Sequence, residues 1–295
     1  MTGSNSRQKG EVVQKLGHEF AMKDLGPLSF FLGIEVSYFP RGTHLNQSKY
    51  ANDLIIKVHI ANVRTVHTPL AQKHGLEEAI GKAVDPSIYK STVGSLQYLT
   101  LTSPDITHVV NLVSQFMQNP NNMHLQGVKK ILRFVKGTID HGLRIKSHSS
   151  FKLYGFSDAD WAGCAITRRS TTRYSIYLGA NCVSWSSRKQ NTVTRSSAEV
   201  EYRALAATAA EFTWIGYILQ DIVVYIKTAP VLLCDNLSAL YMTTNPVMHA
   251  RTKHVELDYH FVREKVAQGQ LITQFVRSKD QLVDVHTKAL GTDQF

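Results

Sequence analysis

The chain has 295 residues, enough for two ordinary domains, and its 43% hydrophobic and 19% charged content excludes a disordered tail or a coiled coil. No apolar run reaches the ~18 residues of a membrane span, and the first residues lack a signal-peptide core, so cytoplasm or nucleus is the default and no address is specified. Lys and Arg outnumber Asp and Glu by 33 to 23, a net charge of +10, which suits a polyanionic partner without identifying one.

The pattern predicts first a short amphipathic helix around Val12 to Phe20. Phe30 to Tyr38 is an apolar, strand-forming run, and Pro40-Arg41-Gly42-Thr43 is a turn signal before a second strand over Thr43 to Leu45. A two-stranded hairpin is marginal alone and must pack on the helices after it or on something upstream. A helix begins at Ser48, and a loop then runs through Thr68-Pro69. After Pro104, residues Ile106, Val109, Val110, Val113, Phe116 and Met117 recur at helical spacing. Leu125, Val128, Ile131, Leu132 and Val135 repeat the pattern before Gly137. Lys129, Lys130, Arg133 and Lys136 line the outer face of that last helix, either solvated or tracking phosphates. Gly137 to Ser150 is polar and reads as a boundary.

Beyond it the period changes. Three consecutive strands are expected in FKLYGFSDAD, RYSIYLGA and NCVSWSSR, with Gly179-Ala180-Asn181 turning the last two into a hairpin. A long helix follows from about Ser197 to Gln220. Next come the short strand VLLCD, a short helix over Leu237 to Met242, a helix over Val255 to Ala267, the strand LITQFV and a terminal helix in QLVDVHTKAL. Together these predict a mixed sheet covered by helices, an α/β fold.

Four acids of this half fall at element ends. Asp158 follows FKLYGF, and Asp235 follows VLLC on the face of Val231 and Leu233 by strand alternation. Glu201 heads the stripe Leu205, Thr208, Phe212, Ile215 and Leu219, which faces the sheet, and Asp284 opens the last helix. Converging carboxylates raise one another's pKa values and resist burial unless cations neutralise them. Oxygen ligands select Mg²⁺ or Mn²⁺, and a pair of such ions supports in-line phosphoryl displacement. The three cysteines, Cys164, Cys182 and Cys234, are too scattered for a disulfide scaffold or a structural zinc site. Spacing alone leaves a second reading open, in which the acids are structural: Asp235-Asn236 capping a helix, Asp158 in a cap or salt bridge, Glu201 paired with Arg195 or Arg203.

The segments are more specific than their spacing. SDADWAG (157–163), RRSTTRYSIYLG (168–179), VSWSSRKQ (183–190), RSSAEVEYRALA (195–206), CDNLSA (234–239), NPVMHARTKHVELDYHFVREKV (245–266) and DQLVDVHTK (280–288) resemble the ribonuclease H domain of copia-type LTR retrotransposon Pol polyproteins. Upstream, MKDLGPLSFFLGIEV (22–36), LNQSKYANDL (45–54), YKSTVGSLQYLT (89–100), PDI (104–106) and ILRFVKGT (131–138) resemble the part of the same polyprotein that precedes that domain.

The resemblance implies a ribonuclease H-like five-stranded mixed sheet over residues 151–295. Before it would come a truncated reverse transcriptase hairpin (1–47, the primer-gripping remnant) and a helical connection region (48–145). It places the catalytic, metal-binding acids at Asp158, Glu201, Asp235 and Asp284, with two Mg²⁺ or Mn²⁺ ions, and assigns phosphate contacts to Arg168, Arg169, Arg188 and Lys189. The implied reaction is endonucleolytic hydrolysis of the RNA strand of RNA–DNA hybrids. The implied partners are such a hybrid, or other nucleic acid, and the upstream reverse transcriptase portion, with no membrane. Polymerisation by this chain alone is not expected, because the YVDD segment is absent. The family usually has Gly where Arg173 stands, a positive charge where Ser103 stands and Ala where Val283 stands. These departures leave a non-catalytic nucleic-acid-binding relic, or one without function, as the alternative.

Overall fold

The computed structural model describes residues 6–21, 26–71, 74–164, 166–245 and 256–283. Its first elements are helix α1 (Ser6–Glu19) and strands β1 (Phe30–Phe31), β2 (Ile34–Phe39) and β3 (Gly42–Asn46). The apolar run expected as one strand is thus two. Leu32 (φ 47°) and Gly33 (φ 77°) form a two-residue turn of the kind that matches strand twist, folding Phe31 back opposite Ile34. The second hairpin closes at Pro40-Arg41, where proline fixes the first turn position and Arg41 takes φ 76°.

Helices α2 (Ser48–Lys57), α3 (Pro86–Leu99), α4 (Thr107–Ser114) and α5 (Asn122–Gly137) build the first core around Tyr89, Val93, Leu96, Ile106, Val113, Val128, Ile131 and Leu132. Periodicity missed α3, whose sequence PSIYKSTVGSLQYL is rich in Ser, Thr and Gly. Its start signal is nonetheless present: the Asp85 carboxylate accepts from the Ser87 N–H, and Pro86 opens the helix. Strand β4 (Leu143–Lys146) pairs with β3, so the expected boundary segment carries the last strand of a sheet ordered β1-β2-β3-β4.

The second unit contains β5 (Leu153–Ala159), β6 (Thr171–Leu178), β7 (Asn181–Lys189), α6 (Ser197–Asp221), β8 (Val231–Cys234), α7 (Leu237–Thr244), α8 (Glu256–Ala267) and β9 (Ile272–Phe275). Its sheet is ordered β7-β6-β5-β8-β9, with β5–β6 and β6–β7 antiparallel and β5–β8 and β8–β9 parallel. This is the mixed α/β arrangement the sequence predicts. The expected terminal helix lies, beyond Val283, outside the described residues.

Helices cover both faces of this sheet. On one face α6 lies close, because Gly155 has no Cβ to meet Phe212, whose ring would be 3.1 Å from one. Leu205, Phe212, Ile215, Leu232, Tyr259 and Val262 fill that side. On the other face, residues around α4 meet β7: Trp185 Nε1 donates to the Thr100 carbonyl at 3.0 Å, and His108 Nδ1 lies 3.5 Å from Ser187 Oγ. Leu232 is fully buried in the central strand β8. Leu232→Ala is expected to lower the unfolding free energy of this unit by about 3 kcal/mol in chemical denaturation.

Candidate metal centre

Strands β5 and β8 run parallel and end together, so the residues at their C-terminal ends are neighbours. Asp158 is buried near the end of β5, and Asp235 follows the last residue of β8. Helix α6 starts beside them with Ser196 as its cap, accepting from the Glu199 N–H at 3.2 Å, and Glu201 falls in its second turn. Glu201 points inward, 7% exposed, and its Oε1 accepts from the Ala159 N–H at 3.3 Å. Oxygen atoms of Glu201 and Asp235 and the Cys234 sulfur lie within 4.8 Å of one another. Asp235 Oδ2 also accepts from Ser278 Oγ at 2.8 Å.

Burial, reinforced by Asp158 and then Asp235, pushes Glu201 up to about 8. Burial and the neighbouring Glu201 push the Cys234 thiol far above its ordinary value. Cys234 therefore remains an S–H, 3.9 Å from Glu201 Oε2, and not a thiolate ligand. Two inward carboxylates beside a protonated thiol fit one hard divalent cation and do not fit zinc. Helix capping at this strand end falls to Asn236, which accepts from the Ala239 N–H at 3.0 Å and leaves Asp235 free for other work.

Asp158 has a partner of its own. Its Oδ2 lies 3.3 Å from Arg173 Nη1, while Arg173 Nη2 lies 3.0 Å from Asp160 Oδ2. Arg173 stands directly opposite Asp158 in the β5–β6 register and is 4% exposed. Asp160, two residues on, turns to the same guanidinium. Asp284 lies outside the described residues. The fold thus brings three of the sequence-predicted acids to one end of the sheet and realises the salt bridge left open for Asp158, while the sequence reading gives no role to Cys234 or Asp160 and does not name Arg173 as the partner. Cross-strand register was the missing signal, because it cannot be read from either strand alone.

The basic residues proposed for phosphate contact sit where β6 begins and β7 ends. Arg168, Arg169 and Arg188 are exposed. Register puts Arg188 opposite Thr172, on the sheet face away from Asp158. Lys189 shares the face of Asp158 and Arg173, and its ammonium is held by Gln115 Oε1 at 2.9 Å and Cys164 Sγ at 2.8 Å.

Residues 1–72 match the family described as reverse transcriptase (RNA-dependent DNA polymerase). Over 72% of its length the chain is 47% identical to an uncharacterized mitochondrial protein of Arabidopsis thaliana and covers 89% of that protein. Over its whole length it is 42% identical to the retrovirus-related Pol polyprotein from transposon RE1 of Arabidopsis thaliana. The chain belongs to the copia-type Pol polyproteins. This Pol segment spans 20% of the RE1 polyprotein. A solved foamy viral protease-reverse transcriptase, in complex with an RNA/DNA hybrid, matches 94% of the Pol segment and 34% of its own chain, with TM-score 0.53 and 10% identity, a likeness of fold. No helix among the described residues is long and apolar enough to cross a membrane.

The raised Glu201 carboxyl sets a pH dependence for the Pol segment. Between about pH 4.5 and pH 8, Glu201 keeps its proton in the fold and loses it in the unfolded chain. The folded state binds more protons there, so stability falls as pH rises through the window. In chelator, this contribution is expected to lower the thermal midpoint as pH rises, to vanish in Glu201→Gln, and to be offset by Mg²⁺.

Proposed function

We propose that the C-terminal unit of this Pol segment, residues 151–295, is a ribonuclease H that cuts the RNA strand of RNA–DNA hybrids with Mg²⁺ or Mn²⁺. The observation that carries this reading is the meeting of Glu201 and Asp235 at the ends of parallel strands, with Asp158 beside them. Residues 1–47 are proposed as the end of the reverse transcriptase palm, and 48–145 as the connection to the ribonuclease H unit.

When bound, a divalent cation would polarise a phosphoryl oxygen and make a water acidic enough to attack. The chain's own part is to hold that charge in place. Glu201 and Asp235 supply the oxygens, and Ser278 and the Ala159 N–H fix how those carboxylates point. Burial of Glu201 limits competing water and strengthens its attraction for a cation. A second ion, implied by the family resemblance, would draw on Asp158 and Asp284.

Substrate would be gripped by phosphate contacts from Arg168, Arg169 and Arg188, with Lys189 beside them. The minor-groove shape and 2′-hydroxyls of a hybrid would set strand choice, with little dependence on base sequence. Such hybrids would be met in the cytoplasm or nucleus. The Arg173–Asp158 pair favours a second reading, in which nucleic acid is bound and not cut.

The two readings separate in one assay. With a labelled RNA–DNA hybrid and the full 295-residue chain, cleavage is expected to require Mg²⁺ and to fall on the order of 100-fold in Asp235→Asn, with binding retained. Salt-sensitive binding without cleavage in the unaltered chain supports the second reading.

A further inference from the structure

The charge balance around Asp158 has an unusual feature. Asp158, Asp160, Glu201 and Asp235 gather at one end of the sheet, and the only cationic side chain paired with any of them, among the described residues, is Arg173. A guanidinium does not lose its proton in proteins, so this positive charge is permanent at every working pH. It is also fixed in position. Arg173 lies directly across from Asp158 in an unbroken antiparallel pair, and cross-strand partners of this kind are held side by side by the backbone ladder.

The surroundings leave the side chain little room to leave. Arg173 is 4% exposed, with its Nε enclosed and without a hydrogen-bond partner. Its two outer nitrogens bridge the Oδ2 atoms of Asp158 and Asp160, at 3.3 and 3.0 Å. Beside it a cavity of about 150 Å³ is lined by His74, Glu77, His108, Asn111 and Cys164, residues of the connection unit and the β5–β6 loop, so this face of the sheet is covered by protein.

Asp158 and Asp160 therefore already share one fixed positive charge, while among the described residues no cationic side chain is paired with Glu201 or Asp235. A second ion at Asp158 would have to displace the guanidinium from that carboxylate, leaving the buried cation only Asp160 as a partner. We propose that the Arg173 guanidinium is a built-in replacement for one divalent cation, so that this centre takes a single Mg²⁺ or Mn²⁺ ion at Glu201 and Asp235 and resists a second at Asp158. The inference deepens the metal reading above and rests on it.

Counting ions tests it without reference to cleavage. The full chain is stripped with chelator and titrated with Mn²⁺, and free Mn²⁺ is followed by electron paramagnetic resonance. One bound ion is expected in the unaltered chain, one in Arg173→Lys, and two in Arg173→Met. The thermal midpoint of Arg173→Met in chelator is expected to fall and to recover with Mn²⁺. Two ions in the unaltered chain, or one in a folded Arg173→Met, overturns the inference and leaves the metal centre standing. No bound ion in any of the three overturns the metal centre and this inference with it. Should Arg173→Met fail to fold, the count in the unaltered chain decides alone.

Discussion

Negative charge forced together at the end of a sheet is the constraint on which the rest of this structure turns. Two parallel strands end side by side, each with an Asp near its last residue, and a helix packed across them brings Glu201 to the same place. Water is largely excluded there, so the repulsion is not screened and one carboxyl responds by holding its proton well above the ordinary range. Clusters of this kind persist when something positive completes them. Here part of that charge is already covalently present as Arg173, and the remainder is the share a divalent cation would supply.

The fold makes this arrangement by dividing labour between the two faces of the sheet. The α6 face is apolar and close-packed, with Gly155 admitting Phe212, and it sets the depth at which Glu201 sits. The opposite face is polar, carries Asp158 and Arg173, and is roofed by the N-terminal helical unit through Trp185, His108 and Lys189. Burial pushes His108 down to about 3, with Arg173 adding to the effect, so the ring stays neutral beside the guanidinium. The N-terminal helices are thus more than a tether to the C-terminal unit, because they form one wall around the residue that pairs with Asp158.

Much of this was legible in the chain itself. Helical spacing from Leu205 to Leu219 placed Glu201 on the buried stripe, and the alternation of strands and helices after Phe151 led to the mixed sheet. What escaped detection shares a physical cause. The strand at Leu143–Lys146 alternates apolar and polar residues, but four residues inside a polar, Gly-containing segment are too few to stand out until β3 offers them a partner. The turn at Leu32-Gly33 is hidden inside an apolar run by a single leucine in a left-handed conformation. Helix α3 buries Tyr89, Val93, Leu96 and Leu99 at helical spacing, but Thr92 shares that stripe and Ser, Thr and Gly dilute the run, so its clearest signal is the Asp-Pro start. The Arg173 pairing depends on register between strands 15 residues apart in the chain, which local patterns do not encode.

The most direct test of the central claim is to see where a heavy divalent ion settles. Crystals of the protein grown or soaked with Mn²⁺ and measured at the manganese absorption edge would report its position through anomalous scattering. The account predicts a peak coordinated by the carboxylates of Glu201 and Asp235, with Arg173 still seated against Asp158. Crystals with no peak between those two carboxylates, or with Glu201 turned away from Asp235, would contradict it.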